Sequence, residues 1–208
     1  MINQDNLTHE EWLENRRKGI GGSDAGAIMG FNKYKSPFTL YLEKIGSYKS
    51  EFDSEAAYFG NVLEDVVRKE FEKRTGKKVT FNNDLYVHEK YPFMQANLDG
   101  WIEEENAILE CKTASEYLKD EWTGDEVPAS YLCQVHHYMA VTGAERAYIA
   151  VLVGGNKFIW KVVEKSIEFE EMLIAAEKDF WENYVLAENP PPMDGHDSTR
   201  AMLSDMYP

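Results

Sequence analysis

Residues 56–75 constrain this chain more than any other stretch. Phe59, Val62, Leu63, Val66, Val67, Glu70 and Phe71 recur at helical spacing, and Gly76 stops the run. A helix with so wide an apolar stripe needs something flat to cover. The sequence supplies it at once, because the period changes after Gly76. Short strand-like runs follow at residues 78–81, 85–88, 93–102 and 107–113, with Glu103-Glu-Glu-Asn106 as the hairpin turn between the last two. A helix predicted over 128–142 ends at Gly143, a hairpin over 146–153 and 158–163 turns at Gly154-Gly155, and an amphipathic helix covers 167–187.

Three shorter helices precede this block. Thr8-His-Glu-Glu11 is a capping box for a helix that ends near Lys18. Ser23 is expected to cap a short helix through Met29, which Gly30 terminates, and Ser36-Pro37 opens a helix over 38–45 that Gly46 stops. Residues 47–55 form a polar, charged connection. The tail from Asn189, with Pro190-Pro-Pro192, is expected to be extended. This order predicts an α/β (α+β) fold, a small mixed central sheet flanked by helices. It divides into one domain over residues 1–188 and a tail over 189–208.

Composition excludes several classes. The 208 residues suit one sizeable core, and the 43% hydrophobic and 13% aromatic content excludes disorder. No apolar run reaches the roughly 18 residues that a membrane span needs. The polar opening MINQDNLTHEEW is not that of a signal peptide, and Cys111 and Cys133 lack the spacing of a cysteine-bound metal. A reduced, cytoplasmic protein is the expectation. The net charge of −15 argues against a protein that coats nucleic acid by bulk electrostatics. Residues 1–80 balance 13 basic against 13 acidic side chains, so the whole excess lies beyond them. Nucleic-acid contact is therefore expected to lean on the N-terminal part.

The candidate chemistry lies on two neighbouring strands. Asp99 falls in Asn97-Leu-Asp-Gly-Trp-Ile102, and Glu110 and Lys112 fall in Ile108-Leu-Glu-Cys-Lys-Thr113. Strand alternation puts Glu110 and Lys112 on one face, and pairing through the acidic turn brings Asp99 beside Glu110. Two converging carboxylates suit a hard cation such as Mg²⁺, and an adjacent lysine can hold a water or the charge that develops on phosphorus. The same alternation also fits a solvated hairpin face. Apolar neighbours of Glu110 favour a buried strand, where a charge needs a reason. Glu64, mid-helix beside the apolar stripe, adds a third carboxylate.

Gly21-Gly22-Ser23 at a helix start offers amide groups and a hydroxyl to an anion, and Arg16 can reach over that loop. Alternatively, Ser23 is only a cap and Arg16 only a surface charge. Gln134 and Tyr138 share a helix face. His136 and His137 read as partly buried helix residues rather than as a base. Arg68, Lys69, Lys73, Arg74, Lys77 and Lys78 fit a DNA-facing strip and a solvated helix face equally.

Taken together, Gly60-x-x-x-Glu64, Asp99, Glu110-Cys-Lys112 and Gln134-x-x-x-Tyr138-Met139 resemble the YqaJ-type viral recombinases, the phage lambda exonuclease-like family of the PD-(D/E)xK nuclease superfamily. Trp12-x-x-x-Arg16, Ile20-Gly-Gly-Ser-Asp24, Ile28-x-Gly30 and Leu40-x-x-x-Lys44-x-Gly46 are similar to the family's opening motif, so the resemblance covers roughly residues 8–150. It implies a restriction-endonuclease-like core and an alkaline-type exonuclease that degrades one strand of duplex DNA from its 5′ end. By the same resemblance Glu64, Asp99 and Glu110, with the carbonyl of Cys111, hold one or two Mg²⁺ ions, for which Mn²⁺ substitutes. Lys112 orients and activates the attacking water, Gln134 sits near it, and Arg16 and Ser23 hold the 5′-terminal phosphate. A DNA-encircling homotrimer, a single-strand annealing partner and phage-type recombination in a bacterial host are further implications. An endonuclease or 3′-directed exonuclease on the same core, and a non-catalytic DNA-end or partner-binding module, are the alternatives.

Overall fold

The computed structural model describes residues 2–5, 7–48, 55–193 and 195–206. The polar connection expected over 47–55 lies for the most part outside them. Strand β1 (Ile2–Asn3) leads into α1 (His9–Arg17). Thr8 Oγ1 accepts the Glu11 N–H at 3.2 Å while Glu11 Oε2 accepts the Thr8 N–H at 2.8 Å, the capping box that the sequence predicts.

Helix α2 (Gly22–Ile28) corrects one expectation. Its cap is Gly21 and not Ser23, and the Asp24 carboxylate reaches back to the Gly21 N–H at 3.0 Å. Ser23 lies inside the first turn, which leaves its hydroxyl exposed. In α3 (Pro37–Lys44), Ser36 Oγ accepts the Thr39 N–H at 3.0 Å and Pro37 takes the first turn, where no amide is missed.

Helix α4 (Glu55–Thr75) has the predicted length, but its apolar stripe divides. Val67 and Phe71 are fully buried and Leu63 is half-buried, whereas Phe59, Val62 and Val66 are 48%, 50% and 51% exposed. Only the i, i+4, i+8 row faces the sheet.

Next come β2 (Asp84–Val87), β3 (Gln95–Ala96), β4 (Gly100–Ile102) and β5 (Ala107–Ala114). The strand expected over 93–102 is thus two strands, interrupted at residues 97–99, and the run at 78–81 contributes only a bridge from Thr80 to Trp101. The interruption separates the sheets. Strands β1, β2 and β3 form an antiparallel sheet of three. The second sheet has the order β4-β5-β6-β7, with β6 (Arg146–Val153) parallel to β5 and β7 (Lys157–Glu164) antiparallel to β6. A parallel pair needs a crossover, and α5 (Ala129–Thr142) provides it, ending on Gly143 at φ 77°.

Both faces of the second sheet are covered. Ile108, Ile149 and Val151 pack with Val135, Tyr138 and Met139 of α5. Leu109, Cys111 and Ala150 pack with Val67 and Phe71 of α4. Gly22 lets α2 close on α5, because a Cβ there would collide with the Tyr138 ring. His137 is fully buried in a structural role. Its Nδ1 lies 2.8 Å from Glu177 Oε1 and its Nε2 2.8 Å from the Gln95 carbonyl, which ties α5 to α6 (Ile167–Asp179) and to β3. His136 packs on Phe169, also away from any reaction centre.

The last predicted helix changes character part-way. After α6 the chain widens into a π-helical turn over Phe180–Val185, which turns Phe180, Trp181 and Val185 inward, and Phe93 stacks on Trp181. The tail is not extended throughout. Residues 190–193 are irregular, but α7 (Asp197–Met206) is helical and docks on α3 through a Ser36–Thr199 hydroxyl contact of 2.8 Å, with Met202 buried.

Candidate active site

Asp99 sits where the ladder stops. The final pair of β4 and β5 is Gly100 with Leu109, so Asp99 comes next to Glu110. Freed from strand pairing, its backbone is held from outside. Its carbonyl accepts from Arg68 Nη1 at 2.6 Å, and its Oδ2 accepts the Cys111 N–H at 2.7 Å. Asn97 anchors the same interruption by donating to Gln4 Oε1 at 2.8 Å.

Glu110 and Lys112 follow the alternation of β5. Lys112 Nζ stands 2.5 Å from Glu110 Oε1, and Gln134 Nε2 donates to the same oxygen at 2.7 Å. Gln134 is itself placed by Tyr138 Oη, 3.1 Å from its Nε2. The other oxygen, Glu110 Oε2, is buried with no hydrogen-bond partner among the described residues. An orphaned carboxylate oxygen is costly to bury unless something cationic meets it.

The electrostatics agree. Burial, and then the charge of Asp99, push Glu110 up to about 8. Burial and Asp99 likewise push Glu64 up to about 7. Asp99 is also raised, burial outweighing the pull of Lys112 and Arg68. Burial alone would lower Lys112, but Glu110 and Asp99 hold its ammonium firmly charged. Burial keeps the Cys111 thiol protonated, so that side chain is no nucleophile.

Glu64, Asp99, Glu110, Cys111, Lys112 and Gln134 all line one cleft of about 360 Å³, and Arg16 and Ser23 line it too. Arg16 Nη2 donates to Ser23 Oγ at 3.0 Å, and its guanidinium stacks over Trp12. The Gly21 N–H is spent on Asp24 and is not free for an anion. The residues expected to bind metal therefore share a cavity. They do not close into a cluster of three acidic, His or Cys side chains among the described residues, and Glu110 is held by Lys112 and Gln134. The all-oxygen donor set and the orphaned Oε2 nevertheless suit a hard divalent cation.

Arg68 was hidden among the basic residues of α4. Its side chain is 12% exposed, with its guanidinium over Phe81 and 3.1 Å from Asp65, whereas Lys69 and Arg74, paired with Asp65 and Glu70, are 71% and 44% exposed. Most of that basic strip is thus exposed and paired with neighbouring carboxylates of the same helix, as either reading of it allows. No sequence signal sets Arg68 apart, because Asp65–Lys69 and Glu70–Arg74 share the i, i+4 spacing of Glu64 and Arg68.

Residues 11–145 match the YqaJ-like viral recombinase domain. The chain belongs to the YqaJ-like viral recombinase family. It is 50% identical over 204 residues to the protein YqaJ of Bacillus subtilis strain 168, an alignment that covers 97% of this chain and 64% of that relative. This YqaJ-like chain thus spans less than two thirds of that relative's length. Among solved structures it superposes on an alkaline exonuclease from Laribacter hongkongensis with a TM-score of 0.71 at 16% identity, covering 86% of this chain and 94% of the other. A phage-related exonuclease from Haemophilus somnus 129PT gives 0.63 at 12% identity, covering 85% and 99%. The fold is the restriction-endonuclease-like one of these structures. No helix among the described residues is long and apolar enough to cross a membrane.

Proposed function

We propose that this YqaJ-like chain is a divalent-metal-dependent exonuclease that degrades one strand of linear double-stranded DNA from a 5′-phosphorylated end. The observation that carries the reading is the convergence of Asp99, Glu110 and Lys112 in one cleft with Arg16 and Ser23. Glu64, Asp99 and Glu110, with the Cys111 carbonyl, would hold Mg²⁺ or Mn²⁺, which supplies Lewis-acid polarisation of the phosphodiester and a more acidic water. The raised affinities of Glu64 and Glu110 for protons, due first to burial and then to Asp99, are what buried neighbouring carboxylates show before a cation joins them. Lys112 is the charged group nearest Glu110 and would orient the attacking water and neutralise charge developing on phosphorus. Gln134 positions Glu110.

Arg16 and Ser23 give the reading its polarity. A terminal phosphate carries charge that an internal phosphodiester lacks, and a guanidinium fork beside a hydroxyl can anchor it. The scissile bond then falls a fixed distance from the end. A homotrimer and a single-strand annealing partner in phage-type recombination belong to the same proposal. The exposed row of Phe59, Val62 and Val66 is an apolar face available to another chain.

The test is cleavage of linear duplex bearing 5′-phosphate or 5′-hydroxyl ends, with Mg²⁺ and then with EDTA. The phosphorylated end should be cut faster by about 10- to 150-fold, the size of one charge-assisted hydrogen bond of roughly 1.5–3 kcal/mol. Arg16→Ala should erase most of that preference, and EDTA should abolish cleavage. Nicking of circular duplex, or shortening from the 3′ end, would select the endonuclease or the 3′-directed alternative instead.

A further inference from the structure

Asp24 and Lys44 form an ion pair of 2.7 Å whose side chains are 4% and 6% exposed. Asp24 Oδ2 also accepts the Gly21 N–H at 3.0 Å, and Lys44 Nζ also donates to the Arg16 carbonyl at 2.9 Å. One buried ammonium therefore joins the last turn of α3 to the end of α1 and the first turn of α2. Arg16 and Ser23 sit on the two segments so joined, and the 3.0 Å bond between their side chains spans the same junction.

A buried ion pair is a weak source of stability. Replacing both partners by neutral groups of similar volume is often neutral or favourable, while removing one partner is costly. Stability alone thus does not account for placing two charges here. Their position does, because each contact fixes a backbone atom within three residues of Arg16 or Ser23. Lys44 also cancels a carboxylate that would otherwise repel an anion in the adjacent cleft.

We propose that Asp24 and Lys44 are positioning residues for terminal-phosphate recognition, holding Arg16 and Ser23 at the spacing that a 5′-phosphate requires. This rests on the reading of Arg16 and Ser23 as the end pocket. The pair does not touch the substrate and acts through the backbone of α1 and α2.

The experiment compares cleavage of 5′-phosphorylated and 5′-hydroxyl duplex by the full chain, together with thermal unfolding. The variants are Lys44→Met, the neutral pair Asp24→Asn/Lys44→Met, Arg16→Ala, and the neutral pair combined with Arg16→Ala. Lys44→Met strands a buried carboxylate and is expected to lower stability, so the neutral pair is the decisive variant. It should unfold close to the wild-type temperature, yet lose about 10-fold in the phosphate-to-hydroxyl rate ratio, the worth of one hydrogen bond to a charged group. In the Arg16→Ala background, the neutral pair should lower the ratio no further, since coupled residues are not additive. A neutral pair that keeps the wild-type ratio overturns the proposal, and so does one that fails to fold, because the pair would then be a folding requirement. A wild type that cuts both ends equally overturns the pocket reading itself, and that result is seen before any variant is made.

Discussion

Gln134 Nε2 donates to Glu110 Oε1 at 2.7 Å, so a helix side chain grips the carboxylate that β5 delivers to the cleft. Lys112 takes the same oxygen, and Oε2 is left buried and unpartnered among the described residues. Held on one side and open on the other, Glu110 keeps one oxygen for the proposed cation, around which the carboxylates would still have to close, since they form no ready cluster among the described residues. Asp99, fixed through both its carboxylate and its carbonyl, is its counterpart.

Removing either carboxylate should therefore abolish cleavage. Asp99→Ala and Glu110→Ala are each expected to keep less than about a tenth of wild-type nuclease activity, because on the proposed reading the cation they hold would supply most of the transition-state stabilisation. Activity is measured on linear duplex with Mg²⁺, and circular dichroism checks that each variant is folded. A folded Asp99→Ala protein above that level would remove Asp99 from the site.

Lys112→Ala should separate binding from chemistry. Its ammonium faces Glu110 and, on the proposed reading, would act mainly on charge that develops during reaction, so DNA affinity should change little while the single-turnover rate falls by orders of magnitude. Lost affinity with retained turnover would make Lys112 a phosphate clamp instead.

Arg68 should prove structural for the site and Lys69 should not. Arg68→Met loses the bond to the Asp99 carbonyl and the stack on Phe81. A cost of roughly 1.5–3 kcal/mol is expected, with a fall in unfolding temperature of about 4–10 °C, and cleavage should slow as Asp99 loosens. Lys69→Ala, on the exposed face, should stay within about 0.5 kcal/mol of wild type. Equal, small effects of the two changes on unfolding and rate would refute the tether.

Without metal, stability should fall as pH rises. In the unfolded chain Glu64 and Glu110 release their protons near the ordinary value of 4.5, but in the folded chain burial and Asp99 delay this to about 7 and about 8. The folded state holds the extra protons between those limits, so its advantage is complete below the lower one and is lost by the upper. The unfolding temperature in EDTA should drop from about pH 5 to about pH 8 and then level off. Glu110→Gln should flatten the curve, and a divalent cation should restore stability most at the alkaline end. A Glu110→Gln curve as steep as that of wild type would contradict the buried-carboxylate geometry.

Much of this is legible in the sequence through local chemistry. The Thr8 capping box, the stops at Gly76 and Gly143, and the two-residue period that places Glu110 and Lys112 together all depend on neighbours a few residues apart. The parallel pairing of β5 and β6 was not readable in that way, nor was the interruption that leaves Asp99 outside the ladder. Only packing showed which row of α4 turns inward, since Phe59 and Phe71 are equally apolar and only one of them meets the sheet. The same holds for Arg68, which looks like its basic neighbours until Asp99, 31 residues away, offers it a carbonyl. Asp24 likewise reads as an ordinary helix-start residue until Lys44 is buried against it. Spacing along the chain sets period and caps, because those interactions close within one turn. Which charges are buried together depends on contacts between distant segments, and that choice is made when the helices close on the sheet.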